Sequence, residues 1–311
     1  MNFQCDHSAL LPLSVKRIVI TGAKGMLGQA FQDVLERHAP MATVLALGKS
    51  DLDIRSSDQV LSIADFRPDF IFHCAAIVNA DYCEENPDEA HAVKVGGTRN
   101  IVELALRTEA KVFYPQSFLI YDNQDLPITE TTSPNPLSVY GRLKLEAEQI
   151  VAEALPQSLV VRMAGFFGGW EIDKNFVGKF VPHIAKLIKA GVQSIEVGDR
   201  IWQPTYTNDL AYNTLLLLAN DRSGVYCMAS HGQASFFDVA SEITKLLAID
   251  EHFSITPASL TKVSITEKAK RPEAVIMENR RLNGEGLERQ RAWQNSLAEY
   301  LDQPYYRSMF T

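Results

Sequence analysis

Tyr140 and Lys144 stand four residues apart in Tyr140-Gly141-Arg142-Leu143-Lys144, at the head of a stretch, 143–155, whose composition predicts a helix. On a helix, positions i and i+4 share a face, so a phenol and an ammonium can serve one site. An isolated pair of this kind reads as a surface tyrosine beside a solvated lysine. Ser117 changes that balance, because it closes a predicted strand, 111–117, upstream of the helix. Ligands of open α/β sheets bind outside the carboxyl ends of the strands. A hydroxyl, a phenol and an ammonium at that edge, beside a nicotinamide, make a carbonyl-reduction site. The phenol, with an ordinary pKa of about 10, would supply the proton. A neighbouring Lys⁺ and the oxidised nicotinamide ring are expected to lower that value. The Ser117 hydroxyl would hold the carbonyl in line and stabilise the developing oxyanion. The hydride itself is the cofactor's to give.

The elements that must position these groups begin with residues 15–31, VKRIVITGAKGMLGQAF. Ile18-Val19-Ile20 has the character of a buried parallel strand. Met26, Leu27, Ala30, Phe31, Val34 and Leu35 then recur at helical spacing. Gly22, Gly25 and Gly28 therefore stand where a strand turns into a helix, the context a dinucleotide-binding loop requires. Gly22 suits the tight turn, Gly25 the approach of a pyrophosphate, and Gly28 the packing of helix on strand. The first helical N–H groups would point at the phosphates. The spacing is G-x-x-G-x-x-G rather than G-x-G-x-x-G, and three glycines also fit a plain tight turn. The second strand, 43–47, runs into Gly48-Lys49-Ser50 with no acid before Asp51. A carboxylate at that strand end would hold the ribose hydroxyls of NADH and repel the 2′-phosphate of NADPH. Its absence, with Lys24 in the loop and Lys49 after the strand, predicts NADPH. NADH is the alternative, in which Asp51 reaches back to the ribose.

Farther along, 69–74, 111–117 and 159–162 read as strands, and 51–54 as a short one. Helical patterns over 56–66, with Ser57 as N-cap, 86–106 and 143–155 alternate with them. That alternation predicts an α/β fold: a Rossmann-like, doubly wound parallel sheet with right-handed crossovers. From about Ala164 the alternation weakens. The expected division is an N-terminal tail, 1–14, and a dinucleotide-binding domain, 15–163, to which 200–228 returns. A smaller, less regular substrate-binding lobe is expected over 164–199 and 229–311. With 22% charged residues and a net charge of −8, the 311-residue chain is not a general nucleic-acid binder. Its longest leucine run, 215–218, is far too short to span a membrane. Cys5, Cys74, Cys83 and Cys227 show neither metal nor CxxC spacing, which reads as reduced thiols in a cytoplasm. No metal site and no membrane partner are expected, and a homodimer is left open.

TGAKGMLG, DLDI at 51–54, HCAA at 73–76 and YGRLK together resemble the extended short-chain dehydrogenase/reductase superfamily. More narrowly, the chain resembles the dTDP-4-dehydrorhamnose reductase family. The supporting pieces run in order: ADYCEENPDEA, QSFLIYD, PLSVYGRLKLEAE, RMAGFFG, NFV, GDRIWQPTYTNDLA and RPEAVIMENRRL. The resemblance covers nearly everything after Ser14. It implies NAD(P)H-dependent reduction of a 4-keto group on a nucleotide-activated deoxysugar. The implied triad is Ser117, Tyr140 and Lys144. Implied cofactor contacts fall at Gly22, Lys24, Gly25, Met26, Leu27, Gly28, Lys49, Asp53, Ile54, Cys74, Ala75 and Ala76, with Tyr140 and Lys144. Asp53 reads equally as a capping residue, and His73 as a core histidine. Implied substrate contacts are Ser117, Phe118, Asn175, Phe176, Arg200, Trp202 and Arg271. An arginine there can clamp a diphosphate bidentately, and Trp202 reads equally as packing.

The departures gather in the pocket. Phe118 replaces an acidic residue beside the triad, Lys94 replaces an asparagine, Gly165 aligns with an aromatic, and Arg200 replaces a neutral amide. Two other functions are weighed. A nucleotide-sugar epimerase or dehydratase shares the superfamily, but a dehydratase needs acidic residues where Phe118 stands. A non-catalytic, cofactor-binding regulatory subunit, like the β-subunit of methionine adenosyltransferase, resembles the same family, and the intact triad favours an enzyme over it.

Overall fold

The computed structural model describes residues 7–122, 125–258 and 267–310. Six parallel strands form the central sheet, and their alternating side chains explain its two covered faces. β1 (Arg17–Thr21) turns through the glycine loop into α1 (Met26–His38), which leads to β2 (Thr43–Leu47). α2 (Ser57–Leu61) continues as a 3-10 turn to Phe66 and feeds β3 (Phe70–His73). Then come α3 (Ala80–Glu85), α4 (Pro87–His91), a π-helical turn (Ala92–Gly96) and α5 (Gly97–Thr108), followed by β4 (Lys111–Ser117). α6 (Val139–Ala154) carries Tyr140 and Lys144 and leads to β5 (Leu159–Met163).

The second half begins with β6 (Phe166–Phe167), α7 (Phe176–Lys189) and β7 (Ser194–Gly198). It continues through β8 (Ile201–Trp202), β9 (Thr205–Tyr206) and α8 (Thr207–Ala219). β10 (Gly224–Met228) then returns to the sheet beside β5, giving the order β10-β5-β4-β3-β1-β2. β11 (Ala234–Ser235), α9 (Phe236–Leu246) and β12 (Ser254–Ala258) follow, with short helices at Arg280–Gly284, Trp293–Leu301 and Pro304–Arg307.

Ile18, Ile20, Phe72, Phe113 and Val161 point to one face of the sheet. They are buried there against Phe31 of α1 and Leu210 and Leu215 of α8. Val19, Ile71, Val112 and Val160 point to the other, against Val60, Ile101, Ala147 and Val151 of α2, α5 and α6. This is the two-residue period of a sheet covered on both sides. Each fully buried large side chain contributes about 1.5–3 kcal/mol. The second half has its own core, in which Val177, Phe180 and Ile184 of α7 meet Val239 and Ile243 of α9 and Trp293, Leu297 and Tyr300.

Three expectations are corrected. Of the expected tail, residues 1–6, including Cys5, lie outside the described residues, and His7–Leu13 is a 3-10 helix rather than a loose end. Leu10 and Leu13 are buried in the sheet's α1–α8 face. Residues 51–54 form no strand, because Asp51 bonds back to the Gly48 N–H and Asp53 bonds the Arg55 N–H. Such local side-chain bonds compete with a ladder. Ser56, not Ser57, caps α2, accepting from the Gln59 N–H. Among the described residues, no helix is long and apolar enough to cross a membrane.

Candidate active site

Ser117 ends β4, and its Oγ accepts from the Leu119 N–H at 3.2 Å, capping a 3-10 turn, Phe118–Ile120. Ser138 caps α6, accepting from the Gly141 N–H. The first turn of α6 lies hard on the Ser117 turn. The resulting i, i+4 pair, Tyr140 and Lys144, is buried, and the Ser117 side chain lies near enough to the Tyr140 phenol to favour its ionised form. Ser117 and Tyr140 thus come together at the carboxyl end of β4, with Lys144 buried one turn farther along α6.

Their ionisation differs from the expectation. Burial pushes the Tyr140 phenol up to about 12, the Ser117 side chain acting against it. Lys144 does not lower the phenol as expected, because its ammonium is turned elsewhere. Its Nζ donates to the Pro115 carbonyl at 2.5 Å and lies 3.9 Å from the Tyr114 ring centroid. Burial, then the charge of Lys94, holds Lys144 well below the usual lysine range. Tyr140 is therefore protonated across physiological pH, which suits a proton donor. His73 is a core residue. Its ring nitrogens meet the hydroxyls of Thr21 and Thr98, each at 3.1 Å, and burial pulls it down to about 3.

The glycine loop fits a dinucleotide. Gly22 has φ +67, and a Cβ there would lie 2.6 Å from the Ala75 nitrogen. The loop after β1 and the Cys74–Ala76 segment after β3 are thus in contact where the strand order reverses, the crevice that binds ligands in such sheets. α1 begins at Gly25 with no side-chain cap, which leaves its first N–H groups for phosphate. Met26 and Leu27 open that helix. Lys24 reaches over the end of β2, its Nζ 3.0 Å from the Ser50 Oγ and 3.6 Å from the Asp51 Oδ2. Asp51 folds back to that strand end after all, its Oδ2 accepting from the Gly48 N–H at 2.9 Å. Its bond to that amide holds the carboxyl below its usual range. Lys49 is exposed. Asp53 is clasped by Arg55, with bonds of 2.7–3.1 Å, which hold it down to about 2. The Ile54 side chain lies in the core against Gly97, leaving only its backbone for a cofactor.

The substrate-side residues fall into two groups. Phe118, Gly165, Trp202 and Phe176 form one aromatic wall. A Cβ on Gly165 would lie 2.7 Å from the Trp202 Cε3 and 3.6 Å from the Phe118 ring. Trp202 meets Phe176 edge-on at 6.4 Å and Phe236 at 5.2 Å. The space that an aromatic side chain at position 165 would fill is taken by Trp202. Asn175 precedes α7 and donates to the Phe166 carbonyl at 2.7 Å. Gly165→Ala is expected to cost about 1–3 kcal/mol by overpacking, and to cost little when made on top of Trp202→Ala, which removes the ring it meets. Melting temperatures of the single and double variants check this.

The arginines form the second group, and carboxylates occupy them. Arg200 binds Glu267 through both terminal nitrogens at 2.9 and 2.8 Å. Arg271 binds Asp81 at 3.0 Å and lies 3.5 Å from Glu267. The expected diphosphate clamp is thus drawn together, but it is paired with acids in this state. The sequence reading missed Glu267 and Asp81. It also missed a buried network behind the triad, in which Gln116 and Arg162, paired across β4 and β5, share Glu148 of α6. Only the burial of three polar residues at facing positions would have signalled it.

Comparison with known proteins agrees with this geometry. The model of the RmlD substrate binding domain matches residues 16–306. A dTDP-4-dehydrorhamnose reductase of Mycolicibacterium smegmatis is 30% identical over 299 residues, covering 94% of this chain and 88% of that relative. Among solved structures, a dTDP-4-dehydrorhamnose reductase from Clostridium acetobutylicum is 31% identical, with a TM-score of 0.84. It covers 92% of this chain and 98% of that one. The Bacillus anthracis dTDP-4-dehydrorhamnose reductase in complex with NADP is 27% identical, with a TM-score of 0.82, over 92% and 99%. With the family model matching residues 16–306, nearly the whole length, the chain belongs to the RmlD substrate binding domain family.

Proposed function

We propose that the protein is an NADPH-dependent reductase of a 4-keto group on a nucleotide-activated deoxysugar, of the dTDP-4-dehydrorhamnose reductase kind. The observation that carries the reading is the placement of Ser117 beside Tyr140 at the carboxyl end of β4, with Lys144 buried one turn along the same helix, in a chain whose relatives bear that name. NADPH, when bound, supplies the hydride. The chain's own residues do the rest. The Gly22–Gly28 loop and the start of α1 hold the phosphates, and Ser117 donates to the sugar's carbonyl oxygen. Tyr140 gives that oxygen a proton, and Lys144 would sustain the phenolate that remains by turning from the Pro115 carbonyl. Trp202, Phe118 and Phe176 wall the sugar nucleotide. Arg200 and Arg271 would bind its diphosphate once it displaces their carboxylates. The scattered free cysteines, Cys74, Cys83 and Cys227, fit a cytoplasmic enzyme.

The direct test is turnover: oxidation of NADPH by the purified protein with dTDP-4-dehydrorhamnose and with other 4-keto sugar nucleotides. No turnover of any of them, with binding kept, would favour the regulatory-subunit reading. Cofactor choice is tested separately. Lys24 and Lys49 stand at the end of β2, and charge-assisted bonds are worth about 1.5–3 kcal/mol. Removing both with Lys24→Ala and Lys49→Ala is therefore expected to weaken NADPH by about tenfold or more and leave NADH unchanged. Titration of both reduced cofactors checks this. Tighter NADH in the wild type would overturn NADPH preference and assign the ribose to Asp51.

A further inference from the structure

Lys94 lies on the π-helical turn and is 2% exposed. Its Nζ is buried and has no hydrogen-bond partner. What it does have is an aromatic face: the nitrogen stands 3.7 Å from the centroid of the Tyr140 ring. A buried ammonium normally finds a carboxylate or several acceptors. Here the groups that face it are Tyr140 and Lys144 on α6, Cys83 on α3 and His73 on β3. Around Tyr140 stand also Ser117 and Tyr114, and Glu148 faces Lys144.

We propose that Lys94 is a positioning residue for the reduction, acting through Tyr140: protonated over the ring face, it stabilises the phenolate left when Tyr140 has given up its proton. The inference rests on the reductase reading above. In the step concerned, the carbonyl carbon gains a C–H bond from the hydride of NADPH, which is oxidised. The carbonyl oxygen, now bearing the electron pair, takes the Tyr140 proton as the O–H bond of the phenol breaks. The phenol oxygen keeps that bond's electron pair, so negative charge appears on a ring already capped by a cation and is removed by reprotonation from solvent. An opposite charge within about 4–6 Å moves such a group by about 1–3 pKa units. The coupling is reciprocal, so the phenolate in turn favours the proton on Lys94.

Burial pulls Lys94 down to about 7, so the amine carries its proton below neutrality and loses it above. The rate of reduction at saturating substrates is therefore expected to fall through a limb near neutral pH. Lys94→Met keeps the side chain's bulk and removes the charge. It is expected to lower kcat about tenfold on the acid side, abolish the neutral limb and leave KM for NADPH unchanged. The second readout needs no turnover. In the protein saturated with NADP⁺, the tyrosinate absorbance lost in Tyr140→Phe reports the Tyr140 titration, and Lys94→Met is expected to move it upward by about one unit or more. Lys94→Gln serves as a second variant if Lys94→Met unfolds. Stability gives the sign of the burial cost. The unfolded lysine titrates near 10.4, so from about pH 7 to there the unfolded state binds the extra proton. Wild-type stability thus rises with pH in that window. Lys94→Met is expected to raise the melting temperature most below pH 7 and least above pH 10. A tyrosinate titration, followed to about pH 12, that is unmoved in Lys94→Met overturns the proposal, as does an unchanged kcat profile. If the wild type reduces nothing, the reductase reading fails, and the tyrosinate titration still decides the role of Lys94.

Discussion

Tyr140→Phe is expected to lose about 10²–10⁴ of the reduction rate, equivalent to about 2.7–5.4 kcal/mol of barrier, while binding NADPH as the wild type does. The substitution removes one oxygen from a ring held by Lys94 above it and by Cys83, Val95 and Leu143 around it. The ring therefore stays in place. The Ser117 hydroxyl remains to orient the carbonyl, but the acid that would transfer a proton to the oxygen is gone. The phosphate cradle of the cofactor lies on different elements, the loop after β1 and the segment after β3, and stays intact when the phenol oxygen is removed. Stabilisation by NADPH, which at a hundred times Kd is worth about 2.7 kcal/mol, should be unchanged in a thermal-shift assay. Near wild-type turnover in the variant would remove Tyr140 from the mechanism. Loss of NADPH stabilisation together with turnover would make its role structural.

Glu148→Ala is expected to destabilise the fold by about 3–5 kcal/mol, because it strands a buried arginine. Arg162 and Glu148 are 7% and 5% exposed, and their closest N···O separation is 2.5 Å. The same carboxylate accepts from Gln116 Nε2 at 2.6 Å. Gln116 also donates to the Lys144 carbonyl at 2.9 Å, and its Oε1 accepts from the Ser117 N–H at 2.8 Å. The pair thus ties the end of β4 to the helix that carries Tyr140 and Lys144. Replacing both charges with apolar groups, Glu148→Leu with Arg162→Met, should restore most of the stability. It should not restore the rate, since Gln116 loses its anchor and small misplacements in an active site cost about 10²-fold. Chemical denaturation and kcat, measured on the single and double variants, separate the two effects. A double variant that is both stable and fully active would reduce the network to packing.

What was legible in the sequence is what is local. Tyr140 and Lys144 declare themselves by helical spacing, Ser117 by its place at a strand end, and Gly22 by the change from a continuous β-branched run to a 3.6-residue period. What was not legible joins distant positions. Glu148 and Arg162 lie on different elements, and each alone reads as a surface charge. Glu267 meets Arg200 across 67 residues, so an arginine that looked free for a diphosphate is paired. Asp51 shows a subtler failure. Its side chain returns to the Gly48 amide and places an acid at a strand end that the order of residues leaves without one. Burial misled in the same way for Tyr140, whose phenol was expected to be lowered by Lys144 but is raised by the apolar surroundings.

The position of β10 in the sheet has a consequence for synthesis. β5 is complete at Met163, but its outer neighbour is complete only at Met228. At about 5–20 residues per second, the ribosome needs roughly 3–13 s to make the chain between them. Through that interval β5, whose burial in the finished fold is complete, presents an unpaired apolar edge of the kind that recruits other strands. The nascent chain is therefore most prone to aggregate after the triad has been made and before the sheet can close, and slowing translation between residues 164 and 228 should lower the soluble yield.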